Sequence, residues 1–131
     1  MSIRDFADKF IKAEDQAWQK GDFSALEKLE DENVVYHTPP IPDQVGREAH
    51  KQYILGTRLA VSKLHQDWEY ITGDGNVFAL SYNMSAVWTG QIPGMPPPTG
   101  KEITNNSLFV FLLKDGKIKE AWSRGSMTGL T

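Results

Sequence analysis

Phe78-Ala79-Leu80-Ser81-Tyr82-Asn83-Met84-Ser85-Ala86-Val87-Trp88 is the stretch whose pattern says most about the fold. Its large apolar side chains alternate with residues that are mostly small or polar. A period of two residues is typical of a β-strand with one buried face. The segment therefore predicts a strand over 78–88.

The residues that follow continue as sheet. The pattern predicts strands over 101–113 and 118–124, and Lys114-Asp115-Gly116-Lys117 between them reads as a hairpin turn. On the other side, Gly73-Asp74-Gly75-Asn76 predicts a turn after a strand over 68–71. Consecutive strands joined by short turns pair antiparallel.

The first half of the chain has helical periodicity instead. A helix is expected over 2–20, with Ser2 and Asp5 at its start and Gly21 after its end. Asp22 opens a short second helix, and a third is expected over 47–63. A short strand at 34–37 separates these two. Helices first and antiparallel strands later predict an α+β fold, in a single domain spanning residues 1–131.

Composition limits the classes of function. The net charge is −3, so neither nucleic acid nor an anionic membrane is an expected partner. The longest apolar run, 108–113, is far too short to span a membrane. The chain has no cysteine, which excludes disulfides, thiol catalysis and cysteine-ligated metals and fits a cytoplasmic protein. Its three histidines are too scattered to predict a metal site.

All seven prolines fall in two clusters, 39–42 and 93–98. Proline breaks helix interiors and sheet ladders, so both clusters are expected to be loops.

Several segments, in this order, resemble the SnoaL-like polyketide cyclases. They are Trp18-Gln19-Lys20-Gly21-Asp22-Phe23-Ser24-Ala25-Leu26, Val34-Val35-Tyr36-His37-Thr38-Pro39-Pro40, Gly46-Arg47-Glu48-Ala49, Thr89-Gly90, Gly94-Met95-Pro96-Pro97, Thr99-Gly100-Lys101 and Asp115-Gly116-Lys117-Ile118 with Trp122. The wider superfamily includes scytalone dehydratase, ketosteroid isomerase and nuclear transport factor two. The resemblance implies a curved antiparallel sheet wrapped around three N-terminal helices, a cone-shaped barrel with a central apolar cavity. It also implies a homodimer formed through the sheet.

His37 is the first catalytic candidate, since many SnoaL-like proteins place a histidine there and imidazole exchanges protons near neutral pH. Its alternative role is to hydrogen-bond the following loop. Asn105 is the preferred residue to polarise a carbonyl, although Asn105 and Asn106 face opposite ways and either one could point inward. His50 is expected on a solvated helix face.

The chain departs from the family near its C-terminus. The two positions that are acidic in SnoaL-like cyclases align with Ser123 and Ser126, and a serine without a base cannot replace a carboxylate. Glu120 and Arg124 are either in the cavity or, as we favour, an ion pair on the outer face.

Large side chains with polar atoms are expected to bind the substrate. They are Trp18, Tyr53, Tyr82, Trp88 and Trp122, together with Met95, which the second proline loop would hold over the cavity with Ile92. The sequence thus predicts a protein that binds a small apolar or aromatic carbonyl compound. It would be either a cofactor-free cyclase, isomerase or dehydratase, or a non-catalytic ligand-binding or dimerisation domain.

Overall fold

The structure is a computed structural model that describes residues 2–131. Within that range the chain forms three helices and six strands. In order, they are α1 (Ile3–Lys20), α2 (Ser24–Leu29), β1 (Glu30–His37), β2 (Gln44–Val45), α3 (Arg47–Ala60), β3 (Val61–Asp74), β4 (Val77–Trp88), β5 (Glu102–Lys114) and β6 (Lys117–Thr128). The predicted α+β order is confirmed.

The six strands form one curved sheet in the order β2-β1-β6-β5-β4-β3. Its edge strands do not pair with each other, so the sheet is open rather than a closed barrel. All neighbours are antiparallel except β1 and β6, which run parallel; helix α3 and four strands lie between them in the chain. Register shifts in β3 and between β5 and β6 mark bulges, which increase curvature.

Helices α1 and α3 pack against the inner face of the sheet. The Ser2 hydroxyl accepts a hydrogen bond from the Asp5 backbone N–H, and Gly21 ends α1 in the left-handed conformation, as expected. In β4 the predicted alternation holds, and Phe78, at one end of its buried face, packs with Phe10 of α1 and Phe111 of β5. This aromatic core fixes the distance between α1 and the sheet.

The boundary between α3 and β3 differs from the prediction. Helix α3 ends at Ala60 rather than at residue 63, and the strand predicted over 68–71 extends over Val61–Asp74. The Ala60 carbonyl accepts hydrogen bonds from the backbone N–H groups of Thr89 and Gly90, distant in the chain, which stops the helix. Pairing with β4 along nearly its full length then holds β3 extended.

Candidate functional site

A cavity of about 90 Å³ lies between the helices and the inner face of the sheet. Its wall is mainly apolar and aromatic. Five residues predicted to act on or bind a ligand line it: Trp18, Tyr53, Tyr82, Met95 and Asn105. An apolar cavity with a few polar groups suits a small, largely apolar molecule.

Four buried polar side chains form a cluster at this cavity. His50 Nδ1 lies 2.6 Å from Glu30 Oε2, and His50 Nε2 lies 3.8 Å from Glu14 Oε1. The Tyr36 hydroxyl donates to Glu30 at 2.5 Å, and its ring packs on the imidazole. Of the four, Glu14, Tyr36 and His50 line the cavity, so Glu30 supports the imidazole from behind.

The cluster joins three elements at their buried faces. Glu14 lies on the apolar stripe of α1, four residues after Phe10 and three before Ala17. His50 occupies the inner face of α3, four residues before Ile54. Buried charges are stable only when paired, and α1 and α3 each contribute one member of the cluster while β1 contributes two.

Burial and charge shift the proton equilibria of the cluster. Burial raises the pKa of Glu14 to about 7, although His50 opposes the rise. Burial by itself lowers the pKa of His50, but the carboxylates of Glu30 and Glu14 outweigh it, and the net shift is upward. Near neutral pH Glu14 is therefore present both with and without its proton, and His50 holds a proton more readily than a free imidazole does.

One oxygen of this cluster is left without a partner. Glu14 Oε2 is buried and makes no hydrogen bond of normal geometry with any residue in the described part of the chain, although the Trp18 indole lies near enough to the carboxyl to lower its pKa. A carboxyl with a pKa near 7 is populated in both protonation states at neutral pH, which is what a general acid or base requires. Glu14 can therefore take a proton from a molecule in the cavity or give one to it.

Asn105 and Ser123 add polar atoms to the part of the wall formed by β5 and β6. The Asn105 side-chain oxygen accepts a hydrogen bond from the Ser107 hydroxyl, which orients the amide. The amide N–H donors then remain for other partners, such as a ligand carbonyl. Ser123 is buried, whereas Ser126 is exposed on the outer face.

Both proline clusters border the cavity. Pro39 and Ile41 line it from the first loop, and Ile92 and Met95 from the second. The loops touch where Gly94 packs so closely on Pro42 that a methyl group at Gly94 would overlap the proline ring. Both loops thus contribute to the cavity wall and touch each other.

The chain is similar to a known protein family along nearly its whole length. The family model for SnoaL-like polyketide cyclases matches residues 9–130, nearly the whole chain. This chain belongs to the SnoaL-like polyketide cyclase family. No curated protein matches it.

Solved structures share the fold of this SnoaL-like protein at low identity. TsrD from Streptomyces laurentii has a TM-score of 0.79 at 18% identity, covering 96% of this chain and 92% of its own. An NTF2-like protein from Anabaena variabilis has a TM-score of 0.74 at 13% identity, covering 96% and 90%. SalBIII, an epoxide hydrolase/cyclase-like enzyme of pyran ring formation in the polyether salinomycin, has a TM-score of 0.70 at 20% identity, covering 98% and 97%.

His37 does not line the cavity, contrary to the prediction. Strand β1 places neighbouring side chains on opposite faces, and Tyr36 takes the inner one. The His37 ring instead lies 2.6 Å from Glu120 and 2.9 Å from Asp43, stacked on Trp122. It therefore bonds the following loop, which was its alternative role. Glu120 lies outside the cavity wall, but its partner is His37 and not Arg124, whose guanidinium donates to the Ser123 carbonyl.

Two predicted ligand-binding residues, Trp122 and Trp88, also lie outside the cavity wall. Trp122 is on the outer face of β6 because a bulge between Ile118 and Glu120 shifts the alternation, turning Ala121 and Ser123 inward. Trp88 is completely buried beyond the cavity, and its indole N–H donates to the Gly90 carbonyl at 2.7 Å. Its polar atom is thereby satisfied by the chain itself.

The sequence prediction missed Glu14, Glu30 and His50, and placing His50 on a solvated face was wrong. A signal for Glu14 was available, because a carboxylate on the apolar stripe of a helix must find a buried partner. Across residues 2–131, no three His, Asp or Glu side chains are grouped to hold a metal ion. Of the helices described, none is both long and apolar enough to cross a bilayer.

Proposed function

We propose that this SnoaL-like protein binds a small, largely apolar carbonyl compound and moves a proton on it without a cofactor. The observation that carries the proposal is the Glu14 carboxyl, buried at the cavity wall with a pKa of about 7 and an unpartnered Oε2. Glu14 thus replaces His37 as the acid–base group.

The reaction needs only groups that the cavity already holds. The Glu14 carboxylate takes a proton from the carbon beside the ligand carbonyl, and the C–H electron pair becomes an enolate. The Asn105 amide, which lines the same cavity, stabilises the enolate oxygen by donating to it. Glu14 then returns the proton to another carbon in an isomerisation, or to a departing hydroxyl in a dehydration. In a cyclisation, it protonates the oxygen of the carbonyl that the enolate has attacked.

His50 supports both states of Glu14. When Glu14 ionises, the imidazolium 3.8 Å away offsets the new buried charge, and Glu30 and Tyr36 keep the ring in place. The solved structure of SalBIII, named for ring formation, lends support to a cyclisation among the three reaction types.

Binding without turnover is the second candidate function. It is favoured by Ser123, which lies buried in the cavity wall where the family pattern has an acid. In that case Glu14 serves only to hydrogen-bond a ligand.

A thermal-shift screen of small carbonyl compounds, followed by mass spectrometry of each bound compound, separates the two functions. Conversion of a bound compound by the wild type, lost in Glu14→Gln and kept in Asp15→Asn on the same helix, supports catalysis. Stabilisation by ligands with no conversion supports binding alone. Conversion that survives in Glu14→Gln contradicts the role proposed for this residue.

We further propose that the protein is a homodimer joined through the outer face of its sheet. Leu108 and Val110 of β5 are exposed there, and Val110 lies opposite Trp122 of β6. Burying this apolar patch against a second copy is favourable.

A further inference from the structure

The geometry points to Trp68 as a specificity-determining residue, whose indole N–H binds an oxygen of the molecule that occupies the cavity. The inference rests on the proposed function only in taking that occupant to be a small oxygen-bearing compound. To the proposed function it adds two things. They are the ligand atom that is bound on the sheet side of the cavity and the class of compound that fits there.

A few buried polar atoms have no hydrogen-bond partner. Among the residues described, three buried side-chain atoms make no hydrogen bond: Glu14 Oε2, Gln66 Nε2 and Trp68 Nε1. Glu14 and Trp68 line the cavity, whereas Gln66 does not. A buried donor left without an acceptor destabilises the fold, so a molecule that supplies an acceptor at Trp68 removes that cost when it binds.

The indole ring is held firmly by its neighbours. Phe10 of α1 packs edge-on against it at 5.9 Å between centroids, and Tyr82 and Phe109 lie at 4.3 Å and 5.3 Å. These contacts need only an aromatic ring, so a phenylalanine would meet them. What tryptophan adds at this position is the N–H group.

The two unpartnered cavity atoms are complementary in kind and close in the fold. Phe10, which packs on Trp68, lies one turn of α1 before Glu14. A ligand is therefore offered a donor at Trp68 and an acid–base oxygen at Glu14 in one cavity that aromatic side chains also line. The class that fits has a flat apolar body, a carbonyl or other acceptor oxygen for Trp68, and a hydroxyl or acidic C–H for Glu14.

Two probe molecules of nearly equal shape test this directly. 4′-Hydroxyacetophenone and 4-ethylphenol differ in that a carbonyl oxygen of the first is replaced by hydrogens in the second. Calorimetric titration of the wild type is expected to show tighter binding of the ketone, by about tenfold for one buried hydrogen bond. In Trp68→Phe the ketone should lose most of that advantage, while the affinity for 4-ethylphenol stays within about twofold. Trp122→Phe, which removes an indole N–H outside the cavity, should leave both affinities unchanged.

The indole N–H resonance in the nitrogen–proton spectrum gives a readout that a structural role would not move. The peak missing in Trp68→Phe should shift when the ketone binds and shift less with 4-ethylphenol. An unchanged preference for the ketone in Trp68→Phe overturns the inference, as does failure of both probes to bind at millimolar concentration. These outcomes leave the role of Glu14 standing, whereas conversion retained in Glu14→Gln refutes that role and leaves the assignment of Trp68 intact.

Discussion

Glu14 of α1 and His50 of α3 lie 3.8 Å apart, carboxyl oxygen to imidazole nitrogen, across the boundary between the two helices. These two residues place ionisable side chains at the cavity wall, whereas His37, which the sequence pattern favours, lies outside it. The energetics of the pair are open to direct measurement.

The first prediction concerns the pH dependence of stability. The folded protein keeps a proton on Glu14 between about pH 4.5 and 7, where the unfolded chain has lost it. The free energy of unfolding therefore falls as pH rises through this range, on the order of 3 kcal/mol for this group. Urea unfolding at pH 5 and pH 8 should show a smaller decrease for Glu14→Gln than for the wild type. Equal decreases would show that Glu14 ionises normally in the fold.

Removing the cation should destabilise the protein. In His50→Gln, Glu30 loses its charged partner while staying buried, and we expect a loss of about 3–5 kcal/mol at pH 7. Gln52→Ala, an exposed change on the same helix, is the control and should cost under about 1 kcal/mol. Chemical denaturation measures both, and equal losses would contradict the proposed charge pairing.

Two glycine substitutions test whether the contact between the two proline loops stabilises the fold. Gly94 and Gly100 both have positive φ, 79° and 74°, but an added methyl group meets Pro42 only at Gly94. Gly94→Ala should therefore lower the melting temperature and weaken binding of 4′-hydroxyacetophenone more than Gly100→Ala does, since both carry the same backbone strain. Indistinguishable effects would mean that the loops do not need this contact.

His37 should stabilise the fold mainly at low pH. The hydrogen bond with Glu120 raises the pKa of His37, burial opposes it, and Asp43 raises it further. The stabilisation is complete below the unfolded value of 6.5 and is lost as pH rises through the higher folded value. His37→Gln should thus cost more at pH 6 than at pH 9 by urea unfolding, with His65→Gln on β3 as the control. A cost independent of pH would contradict the ion pairs.

The dimer proposal predicts an effect of charge on the outer face. Leu108→Lys should shift the protein from dimer to monomer in sedimentation velocity, because it buries an unpaired ammonium group between the two sheets. Leu59→Lys, at a residue on α3 that is 88% exposed, should not. A wild type that sediments as a monomer at micromolar concentration rules the dimer out.

Most of the fold could be predicted from the sequence, because local periodicity, caps and turns agree with the final structure in α1, β4 and the β5–β6 hairpin. The end of α3 could not, since it depends on hydrogen bonds to Ala60 from residues nearly thirty positions later. The residues of the site were harder to predict, because their positions also depend on contacts between distant parts of the chain. Whether His37 or Tyr36 points inward depends on how β1 pairs with β6, and the burial of His50 depends on carboxylates from two other elements.

The polar residues of the cavity come from two separate parts of the chain. Glu14, Glu30, Tyr36 and His50 all belong to the first fifty residues, while Trp68, Asn105 and Ser123 belong to the meander of strands that follows. The groups that store and move protons thus come from one stretch of the chain, and the polar groups of the sheet that face the ligand come from another. Exchanging the strands for those of a relative would change which molecule fits while leaving the acid–base apparatus whole, so selectivity and reactivity can be altered one at a time.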